Sequence, residues 1–139
     1  MKSILLILSL SGCTASSAIQ GFHIAHNDCG PVDELIVAIK LGLDDLECEG
    51  SAQEDGLMHL SIYSDNIRFG DQYTIGQDMS AMWCVDNICE EVVSGNIEVT
   101  AYEDWIAVSG FYDLTLADTT NFSGEIAAEW CDLGDVICG

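Results

Sequence analysis

The chain has 139 residues and carries 24 acidic side chains against three lysines and arginines, which gives a formal net charge of −21 at pH 7. A protein this acidic repels nucleic acids and anionic lipids, so the charge excludes a nucleic-acid partner. Because 49% of the residues are hydrophobic, the chain has enough apolar material for a folded core rather than a disordered tail, and its length is that of one domain.

The first predicted element is an export signal. Lys2 precedes an apolar run at residues 4–10, and the next two residues, Ser11 and Gly12, are small. A positive charge, an apolar core and a small-residue processing site follow each other in this order in signal peptides. The run is too short to span a bilayer, which takes about 20 apolar residues, and no later run approaches that length.

The signal ends with Leu10-Ser11-Gly12-Cys13, an aliphatic residue and two small residues before a cysteine. This sequence resembles the lipobox of bacterial lipoproteins. The resemblance implies cleavage before Cys13 and lipidation of its thiol, with palmitate-type acyl chains as the membrane anchor. Since Thr14 rather than an aspartate follows, it also implies an outer-membrane destination, on the periplasmic or the surface face.

Under this interpretation the chain divides into a signal peptide (1–12), a lipid-anchored tether (13–19) and an acidic β-domain (20–139). The alternative is an ordinary secretory signal cut after Ala18, where Ser16 and Ser17 supply small residues. Both interpretations export the protein, and only the first one anchors it.

The first half of the domain gives a less regular β pattern than the second. Residues 34–41 form a short apolar, β-branched run typical of a buried strand, and residues 56–64 alternate Met58, Leu60 and Ile62 with polar positions. Shorter candidate strands lie at about 20–26, 45–49, 66–75 and 81–85.

The second half predicts a three-stranded meander at about 95–102, 105–117 and 120–131. The even positions from Ile106 to Leu116, and again from Phe122 to Trp130, form inward faces, and Ile97, Val99 and Ala101 do the same earlier. Seven to nine short strands in a chain of this length predict an all-β fold, a single antiparallel sandwich or barrel stapled by disulfides.

The cysteine count supports the disulfides. Seven cysteines are present, and lipidation of Cys13 leaves an even number, which in an exported chain predicts three bridges. The candidates are Cys29, Cys48, Cys84, Cys89, Cys131 and Cys138. The simplest pairing is Cys84–Cys89, Cys131–Cys138 and Cys29–Cys48. The segments 81–89 and 128–138 share Ala-x-Trp-Cys and Ile-Cys, so a crossed pairing between them is the alternative, and a zinc site from their four cysteines is disfavoured by its wide spacings.

Candidate metal ligands are few. Asp45, Glu47 and Glu49 would share one face of an extended segment and could hold Ca²⁺, although a solvated edge strand whose charges discourage edge pairing is the preferred explanation. His23 and His26 are three residues apart and would point to opposite faces of a strand, and His59 has no evident partner. We therefore expect no cofactor, with Ca²⁺ as the alternative.

Catalytic signatures are missing from the sequence: it has no nucleophile elbow, no phosphate-binding glycine loop and no C-x-x-C motif. Trp83, Trp105 and Trp130 could form a glycan-binding platform, but Trp83 and Trp130 precede cysteines, which predicts that they pack over disulfides. The sequence predicts a binding or structural protein of the cell envelope with an envelope protein or glycan as partner, and not an enzyme. A Ca²⁺-dependent adhesion or sequestration module is the first alternative, and a carboxylate-based hydrolase is the second.

Overall fold

A computed structural model describes residues 17–19, 23–30, 34–42, 56–64, 67–68, 70–103, 106–131 and 138. Within these ranges the chain forms eight β-strands and no helix. The strands are β1 (His23–Cys29), β2 (Leu35–Gly42), β3 (Leu57–Ile62), β4 (Gln72–Thr74), β5 (Met79–Val85), β6 (Ile88–Glu103), β7 (Ala107–Leu116) and β8 (Asn121–Trp130).

Seven of these strands form a closed barrel. The hydrogen-bonded order is β6-β5-β3-β2-β1-β8-β7, and β7 pairs again with β6, which closes the ring. The short β4 is an additional strand on β6, beside Ile97. Neighbouring strands are antiparallel except β1 and β8, which run parallel. The predicted all-β fold is thus confirmed: of the sandwich and the barrel it is the barrel, with one parallel strand pair that the antiparallel prediction did not include. Closure removes the exposed sheet edges of an open sandwich.

The predicted meander corresponds to β6, β7 and β8. The inward rows are also as predicted from Val108 to Leu116 and from Phe122 to Ala128. Two other residues that were predicted to face inward are exposed. Ile106 is 61% exposed because it precedes β7 in a turn. Ala101 is exposed as well, because a register shift between Val99 and Ala101 changes which side chains of β6 face inward.

The first half contains the predicted strands with shifted ends. The apolar run at 34–41 is β2, and the alternation at 56–64 is β3. The candidate at 20–26 is β1, which extends to Cys29, and the candidate at 81–85 is β5, which starts at Met79. Only residues 72–74 of the candidate at 66–75 form a strand, and the candidate at 45–49 lies outside the described residues.

The core fills the barrel interior with aliphatic side chains. The largest fully buried ones are Ile39, Leu41, Met58, Leu60, Ile62, Ile67, Met79, Ile97 and Leu114. They come from both halves of the chain, because every barrel strand contributes its inward row.

The disulfides confirm one predicted pair and correct two. Cys84 bonds Cys89 directly across the β5–β6 hairpin, as predicted. Cys138 bonds Cys29 and not Cys131, so the pairs Cys131–Cys138 and Cys29–Cys48 are wrong. Pairing of β1 with β8 explains the difference, since the Cys131 amide donates a hydrogen bond to the carbonyl of Ala25 and the chain therefore leaves β8 beside β1. Spacing along the chain could not show this long-range contact.

Cys131 is disulfide-bonded as well. Together with the two pairs above, this engages the four sulfurs of the alternative zinc site, at Cys84, Cys89, Cys131 and Cys138, in disulfide bonds. A disulfide sulfur is not a zinc thiolate, so these cysteines form staples rather than a metal centre.

Candidate functional site

Several predicted site residues lie outside the described part of the chain. They are the lipidation candidate Cys13, the disulfide candidate Cys48, the carboxylates Asp45, Glu47 and Glu49, and Trp105. Among the described residues, no group of three or more His, Cys, Asp and Glu side chains could hold a metal ion.

The N-terminal segment joins the barrel earlier than the predicted domain boundary. Ser17 forms a parallel β-bridge with Phe122: its amide donates to the carbonyl of Asn121 at 3.1 Å, and its carbonyl accepts from the amide of Ser123 at 3.0 Å. Six residues later His23 pairs with Ala128 in the same register. Residues 17–19 are thus part of the barrel, and a tether to Cys13 has to end before Ser17.

Two side chains fasten this segment to the barrel. The amide of Ile19, a residue that is 4% exposed, donates to the hydroxyl oxygen of Tyr112 at 2.6 Å. Nδ1 of His23 accepts from the amide of Ala127 at 3.0 Å, so the neutral ring carries its proton on Nε2, which lies 3.3 Å from the carbonyl oxygen of Ile19. Gly124 leaves room here, because a Cβ at that position would meet the Tyr112 hydroxyl.

The histidines of β1 point to opposite faces, as strand geometry predicts. His26 is 5% exposed and is therefore a buried residue. Its Nδ1 lies 2.9 Å from the carbonyl oxygen of Asn27 and therefore carries the ring proton, which leaves Nε2 as an acceptor. That Nε2 has no hydrogen-bond partner among the described residues. His59 lies on β3 opposite Lys40, away from both other histidines.

The tryptophans do not form a platform with each other. The ring of Trp83 contacts Phe122, with centroids 4.6 Å apart, and thus lies on the inner side of the barrel. The Cys84–Cys89 bridge lies on the other face of the same hairpin, so the prediction that Trp83 packs over it is wrong. Trp130 contacts Tyr102 edge to face at 6.2 Å.

One barrel end combines three features. Ser17 lies beside Phe122, the ring of Phe122 meets Trp83 across the interior, and the β5–β6 hairpin projects beyond this ring pair. The tip of the hairpin is a two-residue turn at Asp86 and Asn87, both with positive φ (53° and 66°), which is the conformation that short hairpins favour. We call this the Phe122 end of the barrel. The other end carries the Cys29–Cys138 bridge and the exposed side chain of Ile106.

Burial and hydrogen bonding shift the pKa of three groups. Burial, and then the carboxylate of Asp71 that accepts its hydroxyl at 2.6 Å, raise the pKa of Tyr73 well above its ordinary value. Burial also raises the pKa of Tyr112, and the amide of Ile19 opposes this effect. Thr120, which donates hydrogen bonds to the carboxylate from its side chain and amide, lowers the pKa of Asp118.

Sequence reasoning missed the role of Ser17, Ala18 and Ile19. The small residues Ser17 and Ala18 suggested a tether. The one signal against it was Ile19, an aliphatic residue that lies an even number of positions before the inward residues of β1. The roles of His23 and Tyr112 could not be inferred, because they depend on the parallel contact with β8.

A comparison of this chain with protein-family models, with curated proteins and with solved structures finds no match. In the described part of the chain, no helix has the length and apolar character that crossing a bilayer requires.

Proposed function

We propose that this protein is a lipid-anchored protein of the cell envelope, attached through Cys13, whose acidic barrel has a binding or structural role rather than a catalytic one. The observation that carries the proposal is the incorporation of residues 17–19 into the barrel. It bears on where the signal peptide is cut.

Cleavage after Ala18 would damage the fold that the sequence otherwise specifies. It would remove Ser17 with both of its hydrogen bonds to β8, and it would turn the amide of Ile19 into a charged ammonium group. Ile19 is buried, and burial of an ammonium group without a paired charge costs several kcal/mol. Cleavage before Cys13 leaves the barrel complete, with three residues between the lipid-bearing cysteine and Ser17.

Two further features favour this function. The disulfides fit a protein that folds in an oxidising compartment outside the cytoplasm. The many exposed carboxylates keep such a domain soluble above a membrane, and several acyl chains at about 0.8 kcal/mol per buried CH₂ would hold it firmly.

The test is the intact mass of the protein purified from the envelope of a bacterium that processes lipoproteins, before and after reduction and alkylation. We expect a chain that begins at Cys13 with a lipid adduct, and six thiols that react only after reduction. Cys13→Ser is the matched control: it should lose the adduct and leave the membrane fraction with its barrel intact. A wild-type mass that begins at Ile19 without lipid would refute the anchor.

A further inference from the structure

The position of Ser17 restricts how an anchored barrel can sit on its membrane. This inference rests on the proposed lipidation of Cys13, which lies four residues before Ser17. Four residues span at most about 14 Å when fully extended. Ser17 is fixed beside Phe122, whereas β8 continues for eight more residues to Trp130, about 27 Å along the strand. The acyl chains are therefore tied to the Phe122 end, and the Cys29–Cys138 end is out of their reach.

The Phe122 end presents exposed aliphatic side chains at its tip. Val85 and Ile88 are opposite each other on either side of the hairpin turn, and they are 38% and 69% exposed. Both lie on the same face of the hairpin as Trp83, because side chains alternate along a strand, so they stand just beyond the Trp83–Phe122 ring pair.

The hairpin also projects from the barrel. The pairing of β6 with β7 ends at Val92 and Leu116, and the pairing of β5 with β3 ends at Cys84 and Leu57. Among the described strands, Val85 and Ile88 therefore lie beyond the last residues that pair with β3 and β7. Among the described residues of this end, Val85 and Ile88 are therefore placed to meet a surface beneath it.

Charged neighbours define which surface this end accepts. Asp86 lies between the two aliphatic residues, Glu90 follows on β6, and Asp118 lies in the β7–β8 turn at the same end, all of them exposed. These carboxylates oppose contact with anionic lipids and prevent deep insertion. A zwitterionic headgroup layer is compatible with this end, because the aliphatic tip can reach the acyl boundary there while the carboxylates stay in water.

We infer that Val85 and Ile88 rest on the zwitterionic lipid surface that holds the Cys13 anchor, so that the barrel stands on its Phe122 end. The opposite end, with Ile106 and the Cys29–Cys138 bridge, then faces away from the membrane and is the end available to an envelope partner. The lipid surface is thus a second, non-covalent contact beside the anchor.

The experiment places a tryptophan at each end of the full-length lipidated protein. Ile88→Trp marks the tip, and Ile106→Trp, at a position of similar exposure on the far end, is the matched control. Each protein is reconstituted into phosphatidylcholine vesicles with and without brominated acyl chains, and the fluorescence of the wild-type protein is subtracted. We expect bromine to reduce the added Ile88→Trp fluorescence at least two-fold and to leave that of Ile106→Trp unchanged.

Intact mass and flotation of the same samples separate this inference from the proposed function. A lipidated, floating protein with unquenched Ile88→Trp would mean that the barrel stands off the membrane on its tether. Equal quenching at both ends would mean that it lies on its side, and either result overturns the orientation alone. A sample without the lipid adduct overturns the anchor and the orientation together.

Discussion

Replacing Tyr112 by phenylalanine should destabilise the barrel by removing one oxygen atom. The hydroxyl of Tyr112 accepts the amide of Ile19 at 2.6 Å, and both residues are almost completely buried, at 3% and 4% exposure. Phenylalanine preserves the packing of the ring but leaves the amide without this acceptor. A buried polar group that loses its partner costs about 1–3 kcal/mol, so the free energy of unfolding should fall by about that amount.

The assay is urea unfolding of the oxidised domain, followed by tryptophan fluorescence, with Tyr63→Phe as the matched control. The Tyr63 hydroxyl also donates a hydrogen bond, to Ser80 at 2.7 Å, but the side chain is 41% exposed and water can replace the lost partner. We expect the control to change the free energy of unfolding by less than about 0.5 kcal/mol. Hydrogen exchange gives a local readout, since the Ile19 amide should exchange faster in Tyr112→Phe. If both variants have equal stability, residues 17–19 are not fastened as described.

Three further predictions concern pH, disulfides and salt. The pKa of Tyr73 is raised in the folded protein, so its contribution to stability should be complete below about pH 10, where an unfolded tyrosine ionises, and should disappear as the pH rises further. Tyr73→Phe should therefore flatten the fall of the unfolding free energy at alkaline pH. An unchanged slope would contradict this prediction. Replacing Cys29 and Cys138 by alanine opens a loop of sequence separation 109, whereas replacing Cys84 and Cys89 opens one of separation 5. The first replacement should therefore lower the free energy of unfolding by about 2–3 kcal/mol more than the second. Equal decreases in urea unfolding would contradict the explanation by loop entropy. Raising NaCl from low to near-molar concentration should increase the melting temperature, since it screens repulsion within a chain of net charge −21, and a constant melting temperature would exclude this effect.

The sequence predicted what depends on contacts between neighbours along the chain. Period-two alternation identified β3 and the β6–β8 meander, an apolar, β-branched run identified β2, and a four-residue spacing identified the Cys84–Cys89 bridge. These are hairpin features, in which each strand pairs with the next one and the hydrophobic pattern fixes the register. The bulge near Ala101 escaped detection because an extra residue reverses the alternation without changing the composition.

What the sequence could not predict depends on the pairing of β1 with β8. These strands are about a hundred residues apart and run parallel, so no turn joins them and no local pattern records their register. The Cys29–Cys138 bridge, the hydrogen bonds of Ser17 and the contact of Ile19 with Tyr112 all result from that one pairing. The predicted extent of the tether and the predicted Cys131–Cys138 bridge differ from the structure because both lie where β1 contacts β8.

A pulling force on a lipid anchor at Cys13 would act first on the contact of β1 with β8. This contact is the one parallel pair among the described strands, and parallel pairs are slightly less stable per residue than antiparallel ones. Hydrogen bonds of Ser17 and Ile19 fasten the end nearest Cys13, and the Cys29–Cys138 bond fastens the far end of β1 covalently. Force applied through Cys13 would first separate Ser17 from β8, while the disulfide would still hold β1 to the C-terminal end of the chain. In the proposed anchored form, the Cys29–Cys138 bond would therefore keep β1 attached after the hydrogen bonds of Ser17 break.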